Sequence, residues 1–204
     1  MNTSKWLGIT LAATLGLGAV ASRYSAQAVE LSDGRVYFEQ PPSLVEATST
    51  RNVVAASGGM YYFTINVPEN SGEPLQRVAF AQRDGDSATR RVRFDLEDSR
   101  AFVGTRGSRG EAIAISNVTF DDETRTVSVN FAQPVAPGTT VTVGLEPVRN
   151  PRLGGVYLFG VTAYPRGDSA YGQFLGYGRF QFYERGGDLF PSIFRRERYR
   201  HSNW

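Results

Sequence analysis

Between residues 35 and 183 large apolar side chains recur at every second position, broken by short clusters of Pro, Gly, Asn and Asp. Over residues 60–67, Tyr61, Phe63, Ile65 and Val67 point one way and Tyr62, Thr64 and Asn66 the other, the period-two pattern of a half-buried strand stopped by Pro68. The same reading gives strands at 35–39, before Pro41 and Pro42, and at 75–82. At 90–96 Val92, Phe94 and Leu96 face inward, with Arg91, Arg93 and Asp95 outward as cross-strand ion-pair material. Residues 112–120 read as one strand whose phase flips between Ile113/Ile115 and Val118/Phe120, which predicts a bulge near Ser116 and Asn117. Residues 126–131 follow across a hairpin turn at 121–124, and Val141, Val143 and Leu145 face inward over 139–145. Residues 44–56 carry no pattern that assigns them.

Two aromatic runs, 155–161 and 174–183, flank a short Pro/Gly connection and read as a pair of strands around which the rest is organised. Tyr157, Phe159 and Val161 alternate with Val156, Leu158 and Gly160, so both faces of the first run carry apolar groups. In the second run Leu175, Tyr177 and Arg179 share one phase and Phe174, Gly176, Gly178, Phe180 and Phe182 the other, and strand glycines mark a bulge or a close approach of another backbone. No ten-residue window between 28 and 183 has helical periodicity. About nine short strands at turn-punctuated spacing predict an all-β fold, a single immunoglobulin-like β-sandwich over residues 29–186.

Two loops invite chemistry and decline it. Residues 105–110 (TRGSRG) are rich in Gly, but a phosphate cradle needs a following Lys and a helix start, and strand follows instead. Asp121, Asp122 and Glu123 lack the alternate spacing that wraps oxygens around calcium and read as a solvated turn. Asn117-Val118-Thr119 matches the glycosylation sequon.

Ahead of the alternating region, Lys5 precedes an apolar run over 6–20, and a polar stretch ends in Ala26-Gln27-Ala28. The run is shorter than the roughly 20 residues a membrane-spanning helix needs, so residues 1–28 read as a signal peptide of the Sec route, cleaved after Ala28. The expected address is the periplasm, the thylakoid lumen or the extracellular space. Lys5 is the sole lysine; without Lys5 and Arg23 the mature chain holds 20 basic and 20 acidic residues, a net charge of zero. Arg195, Arg196, Arg198 and Arg200 against Glu197 make its end +3 and leave the body at −3. With no Cys, stability must come from a hydrophobic core. The sole His, His201, lies near the C-terminus, so Ser-His-Asp, Cys-His and imidazole or thiolate metal sites lack ligands in the body. No cofactor and no nucleic acid is expected.

Residues 36–183 resemble a family of cyanobacterial secreted proteins grouped as domain of unknown function 2808. The likeness rests on Pro137-Gly138-Thr139-Thr140-Val141, Pro147-Val148-Arg149-Asn150-Pro151, Gly155-Val156-Tyr157-Leu158-Phe159-Gly160-Val161 with Tyr164-Pro165, and Phe174-Leu175-Gly176-Tyr177-Gly178-Arg179. The resemblance implies a cyanobacterial source and an extracytoplasmic site, and transfers no catalytic residue.

The expected function is therefore a non-enzymatic binding or scaffold module of the cell envelope. Arg149, Asn150, Tyr157, Tyr164, Tyr177 and Arg179 are its candidate binding residues, because Tyr and Arg suit recognition of carboxylate, phosphate or sugar. The same residues also suit structure: Tyr157 and Tyr177 in the core with satisfied hydroxyls, Arg179 paired with a carboxylate. A second reading assigns the work to the tail, residues 187–204, where Arg195, Arg196, Arg198, Arg200 and Trp204 combine cations and aromatics suited to anionic lipid or acidic polysaccharide. A third, a hydrolase built on paired carboxylates among Asp95, Glu97 and Asp98 or within 121–123, is the weakest. The expected partners are thus an envelope protein, an anionic lipid surface or an acidic polysaccharide.

Overall fold

In the computed structural model, which describes residues 29–30, 34–83 and 91–184, the alternating segments are strands that pair antiparallel. They are β1 (Val29–Glu30), β2 (Val36–Tyr37), β3 (Ser43–Ser49), β4 (Tyr61–Asn66), β5 (Leu75–Gln82), β6 (Phe94–Gly104), β7 (Arg109–Ile113), β8 (Ile115–Asp121), β9 (Thr126–Val135), β10 (Thr140–Pro147), β11 (Gly155–Pro165) and β12 (Gln173–Phe182). β1 and β2 form a small ribbon, and the other ten make two five-stranded sheets in the orders β3-β4-β10-β6-β7 and β12-β11-β5-β9-β8. The sheets pack as an all-β sandwich. The readings of residues 1–28 as a signal and of 187–204 as a working tail fall outside the described residues.

The strand count exceeds the nine expected from sequence because three elements were hidden. β1 and β3 were not assigned, and the segment read as one strand over 112–120 is two: the chain crosses at Ala114 from β7 in the first sheet to β8 in the second. The bulge anticipated near Ser116 is present, as the β8–β9 register slips between Ile115 and Asn117. The strand expected over 90–96 begins at Phe94 and runs on to Gly104.

The core lies between the sheets, built from the inward phases of the strands. Tyr61, Phe63, Ile65, Val78, Phe80, Val127, Val129, Val141, Val143, Tyr157, Phe159 and Val161 are all completely buried. Its middle is aromatic: Phe63 meets Phe80 at 4.4 Å between ring centroids, Tyr61 stacks on Phe180 at 4.8 Å, and Phe159 stands edge-on to Phe180 at 5.6 Å, arrangements that add to plain burial. β4 departs from the half-buried expectation. Its outward residues are covered too, Tyr62 with Met60 and Phe102, and Thr64 by a hydroxyl–hydroxyl bond of 2.9 Å to Thr142.

The two sheets close together along the β12 and β3 edges. A Cβ on Gly178 would come within 2.8 Å of the Phe63 ring and 2.9 Å of Ala47 Cβ, so only glycine admits this approach. Beyond β12 the chain is stitched to the β3–β4 connection, where Tyr183 N–H donates to Asn52 O at 2.8 Å and its carbonyl accepts from Val54 N–H at 3.0 Å.

Candidate functional site

The six body residues singled out from sequence separate into two places. Arg149 and Asn150 lie on the connection between β10 and β11, with Tyr157 just beyond it on the buried face of β11, and Tyr164, Tyr177 and Arg179 lie on the outer face of the second sheet.

In the connection, Asn150 is 2% exposed and its amide is fully engaged. Oδ1 accepts from the Tyr61 hydroxyl at 2.9 Å, Nδ2 donates to the carbonyls of Arg51 and Val53 at 3.0 and 2.9 Å, and the backbone N–H donates to Ala56 O at 2.8 Å. A buried amide with its donors and acceptor in use is a clamp and offers a ligand nothing. Tyr157 is likewise structural, wholly buried with its hydroxyl donating to Leu153 O at 2.8 Å. Burial, with Tyr157 beside it, holds the Tyr61 phenol far above the usual tyrosine range, so it stays a neutral donor to Asn150. What the clamp presents to solvent is Arg149 and Arg152. With Arg91, Arg93, Val148 and Pro151 they line an open cavity of about 610 Å³.

On the second sheet, β12 pairs with β11 in step from Gly155↔Phe182 to Val161↔Gly176, and then Thr162 faces Phe174, leaving Leu175 over. The slip is a bulge, and Gly176 at φ +118° adopts a backbone that L side chains avoid. Leu175 therefore turns to the core while Phe174 joins Tyr177 and Arg179 outside. Phe174 and Tyr177 are 53% and 50% exposed, with ring centroids 5.1 Å apart and planes at 69°. Both lean over Gly160, where a Cβ would lie 3.3 Å from Phe174 and 3.5 Å from Tyr177. The expectation that Tyr177 packs in the core is thus corrected: it shares a phase with Arg179, opposite Phe180 and Phe182. The expected ion pair of Arg179 is also absent, since Arg179 is exposed and meets no carboxylate among the described residues. Phe174 was missed as a candidate; the strand glycine at 176 was its only signal.

Beside this aromatic ridge the register lays a floor of small residues. Gly160 faces Ala81, and Ala81 faces Thr126; Thr162 faces Ala79, Ala79 faces Ser128, and Ser128 faces Thr119. At one end the Arg77 guanidinium sits 3.7 Å over the Tyr164 ring. Gly172 makes room for that ring, because a Cβ there would come 2.5 Å from it. β5, β9, β11 and β12 contain no Asp or Glu, and their charges are Arg77 and Arg179. The opposite sheet carries Glu46, Asp95, Glu97, Asp98, Glu111 and Glu146 against Arg100 and Arg109.

The carboxylates considered for hydrolysis are engaged or scattered. Asp121 Oδ1 accepts the backbone N–H groups of Glu123 and Thr124 at 2.9 and 3.1 Å, and these bonds, that of Thr124 foremost, hold its carboxyl below the usual range. Asp95 faces Glu146 across the β6–β10 ladder on the exposed side of the first sheet. The 105–110 loop is a plain hairpin, with Thr105 and Ser108 exchanging backbone bonds of 3.2 Å.

Residues 35–182 match the family model described as "Protein of unknown function (DUF2808)". No curated protein matches. Among solved structures the chain is similar to BslA, a bacterial hydrophobin, at 14% identity and TM-score 0.42 over 72% of this chain and 98% of that one. It is similar to the N-terminal domain of the Streptococcus gordonii adhesin Sgo0707 at 12% identity and TM-score 0.46, over 72% of this chain and 34% of that one. It is similar to a collagen-binding domain from a Staphylococcus aureus adhesin at 10% identity and TM-score 0.38, over 69% of this chain and 98% of that one.

Proposed function

The chain belongs to the DUF2808 family, and from that premise we propose an exported, non-enzymatic binding module of the cell envelope whose working surface is the outer face of β12, β11 and β5. The observation that carries this reading is the bulge at Gly176, which spends two large aromatic rings on solvent beside a floor free of carboxylates. Exposed aromatics on a flat sheet stack on the apolar faces of sugar rings, and Arg77 and Arg179 supply partners for carboxylate or sulfate groups. The ligand class is an acidic polysaccharide. Export is supported by the apolar run over 6–20 followed by Ala26-Gln27-Ala28. A catalytic role gains nothing from the carboxylates, which sit on turns or on the opposite sheet.

Affinity electrophoresis of the mature chain, in gels containing a polyuronate or a neutral dextran, tests the assignment. Each stacked ring is worth about 1 kcal/mol, so Phe174→Ala with Tyr177→Ala weakens retention by the polyuronate about tenfold or more. Deleting residues 187–204 leaves retention intact. Unchanged retention in the double variant, or its loss on deleting the tail, refutes the assignment; the second result moves the work to Arg195, Arg196, Arg198, Arg200 and Trp204.

A further inference from the structure

We propose that the cavity between the β10–β11 connection and the segment leading into β6 is a binding site for a compact phosphate-class polyanion. It shares no residue with the outer face of the second sheet.

Four of its lining residues are arginines, Arg91, Arg93, Arg149 and Arg152, and no carboxylate lines it among the described residues. Of the four, Arg91 bonds Asp122 at 3.3 Å, and the other three pair with no carboxylate among the described residues. Guanidinium groups gathered without counter-charges repel one another, and folding alone gains nothing from bringing them together. An anion supplied from outside reverses the sign of that interaction. Each guanidinium presents a planar fork of donors that fits the oxygens of phosphate in pairs.

The backbone that carries the arginines is rigid on both sides. On one side, Val92 is buried at 2% exposure and its N–H donates to Gln82 Oε1 at 3.0 Å, which leaves Arg91 and Arg93 facing outward. The Arg93 carbonyl accepts from Val148 N–H at 2.9 Å, tying that segment to the connection. On the other side, the Asn150 clamp and the buried Pro151 fix the chain between Arg149 and Arg152. A site whose charged groups stand on fixed backbone loses little freedom when it binds. About 610 Å³ of open space suits a small ligand or the charged end of a larger one. Three guanidinium charges with no carboxylate partner among the described residues exceed what one carboxylate neutralises, whereas a phosphate ester carries nearly two charges at neutral pH and a diphosphate more.

Isothermal titration of the mature chain with sodium pyrophosphate, at ionic strength held constant with sodium chloride, tests the site. One equivalent binds, and acetate at the same concentration does not compete. Arg93→Gln with Arg149→Gln weakens binding about tenfold or more, since two charge-assisted contacts are lost. Arg100→Gln, on the first sheet beside Glu146, leaves it unchanged. The substituted arginines are exposed, so equal melting midpoints for parent and variants show that the fold survives. Equal pyrophosphate affinity in the double variant, or competition by acetate, overturns the proposal. The source is decided by sedimentation with phosphatidylcholine vesicles containing phosphatidic acid. Retention lost in the double variant assigns the phosphate to a lipid headgroup, while no retention of the parent beside tight pyrophosphate binding assigns it to a soluble ligand. Because Phe174 and Tyr177 are untouched, polyuronate retention reads the outer face separately.

Discussion

At the scale of the residue, Asn150 decides whether the β10–β11 connection has one conformation. Its amide satisfies the Tyr61 hydroxyl and the carbonyls of Arg51 and Val53. Asn150→Ala strands these groups, and unpaired buried polar groups cost about 1–3 kcal/mol each. With part of that recovered by water, urea denaturation should place the variant about 2–4 kcal/mol below the parent. Glu73 gives the complementary case of a side chain the fold tolerates at a cost. It is 6% exposed, and burial, with Glu39 adding to it and Arg166 opposing, raises its carboxyl above the ordinary value. A raised folded pKa means that the native state holds the proton more tightly than the unfolded chain. Its stabilising contribution is therefore complete below the ordinary carboxylate range, about pH 4, and is lost as pH climbs through the raised value. Glu73→Gln removes the titration, so thermal melts should show the variant matching the parent in acid and gaining on it towards pH 7. An unchanged difference across that range would contradict the assignment.

At the scale of the element, two glycines of β12 do different work. Gly178 is held by neighbours, Phe63 and Ala47, whereas Gly176 has open space around its Cβ position and is held by its backbone at φ +118°. Gly178→Ala should therefore destabilise by about 1–3 kcal/mol through overpacking and leave polyuronate retention unchanged. Gly176→Ala strains the bulge by a similar amount and disturbs the ridge, so retention should fall with stability. Thermal melts and affinity gels on the two variants separate these outcomes. The strand phases themselves were legible, because each strand buries one face and a period of two writes that face into the residues, as at Tyr61, Phe63 and Ile65. The change of sheet at Ala114 was not, since a strand that leaves one sheet for the other keeps its alternation. β3 was hidden because an edge strand with exposed Val45 buries too little to leave a pattern. Asn150 was legible as unusual but not as a clamp, for its partners lie 89 to 99 residues away.

At the scale of the whole molecule, charge is divided unevenly between the sheets, six carboxylates on the strands of the first and only Asp121, at the end of β8, on those of the second, where Arg77 and Arg179 lie on strands free of acids. Sequence revealed a −3 body but not this division, because which strands share a sheet is set by the topology and not by their order in the chain. The stitching of Tyr183 to Asn52 and Val54 has a mechanical meaning as well. β12 runs beside β11 from Gly155↔Phe182 to Ala163↔Gln173, and Tyr183 extends it by a parallel bridge to Val53. A pull directed along β12 from its C-terminal side meets the Tyr183 bonds first and then loads the ladder lengthwise, so its rungs share the force in shear instead of opening one by one. A ligand held by Phe174 and Tyr177 sits on that same strand, which makes β12 the member that carries tension between whatever grips the face and whatever holds the end.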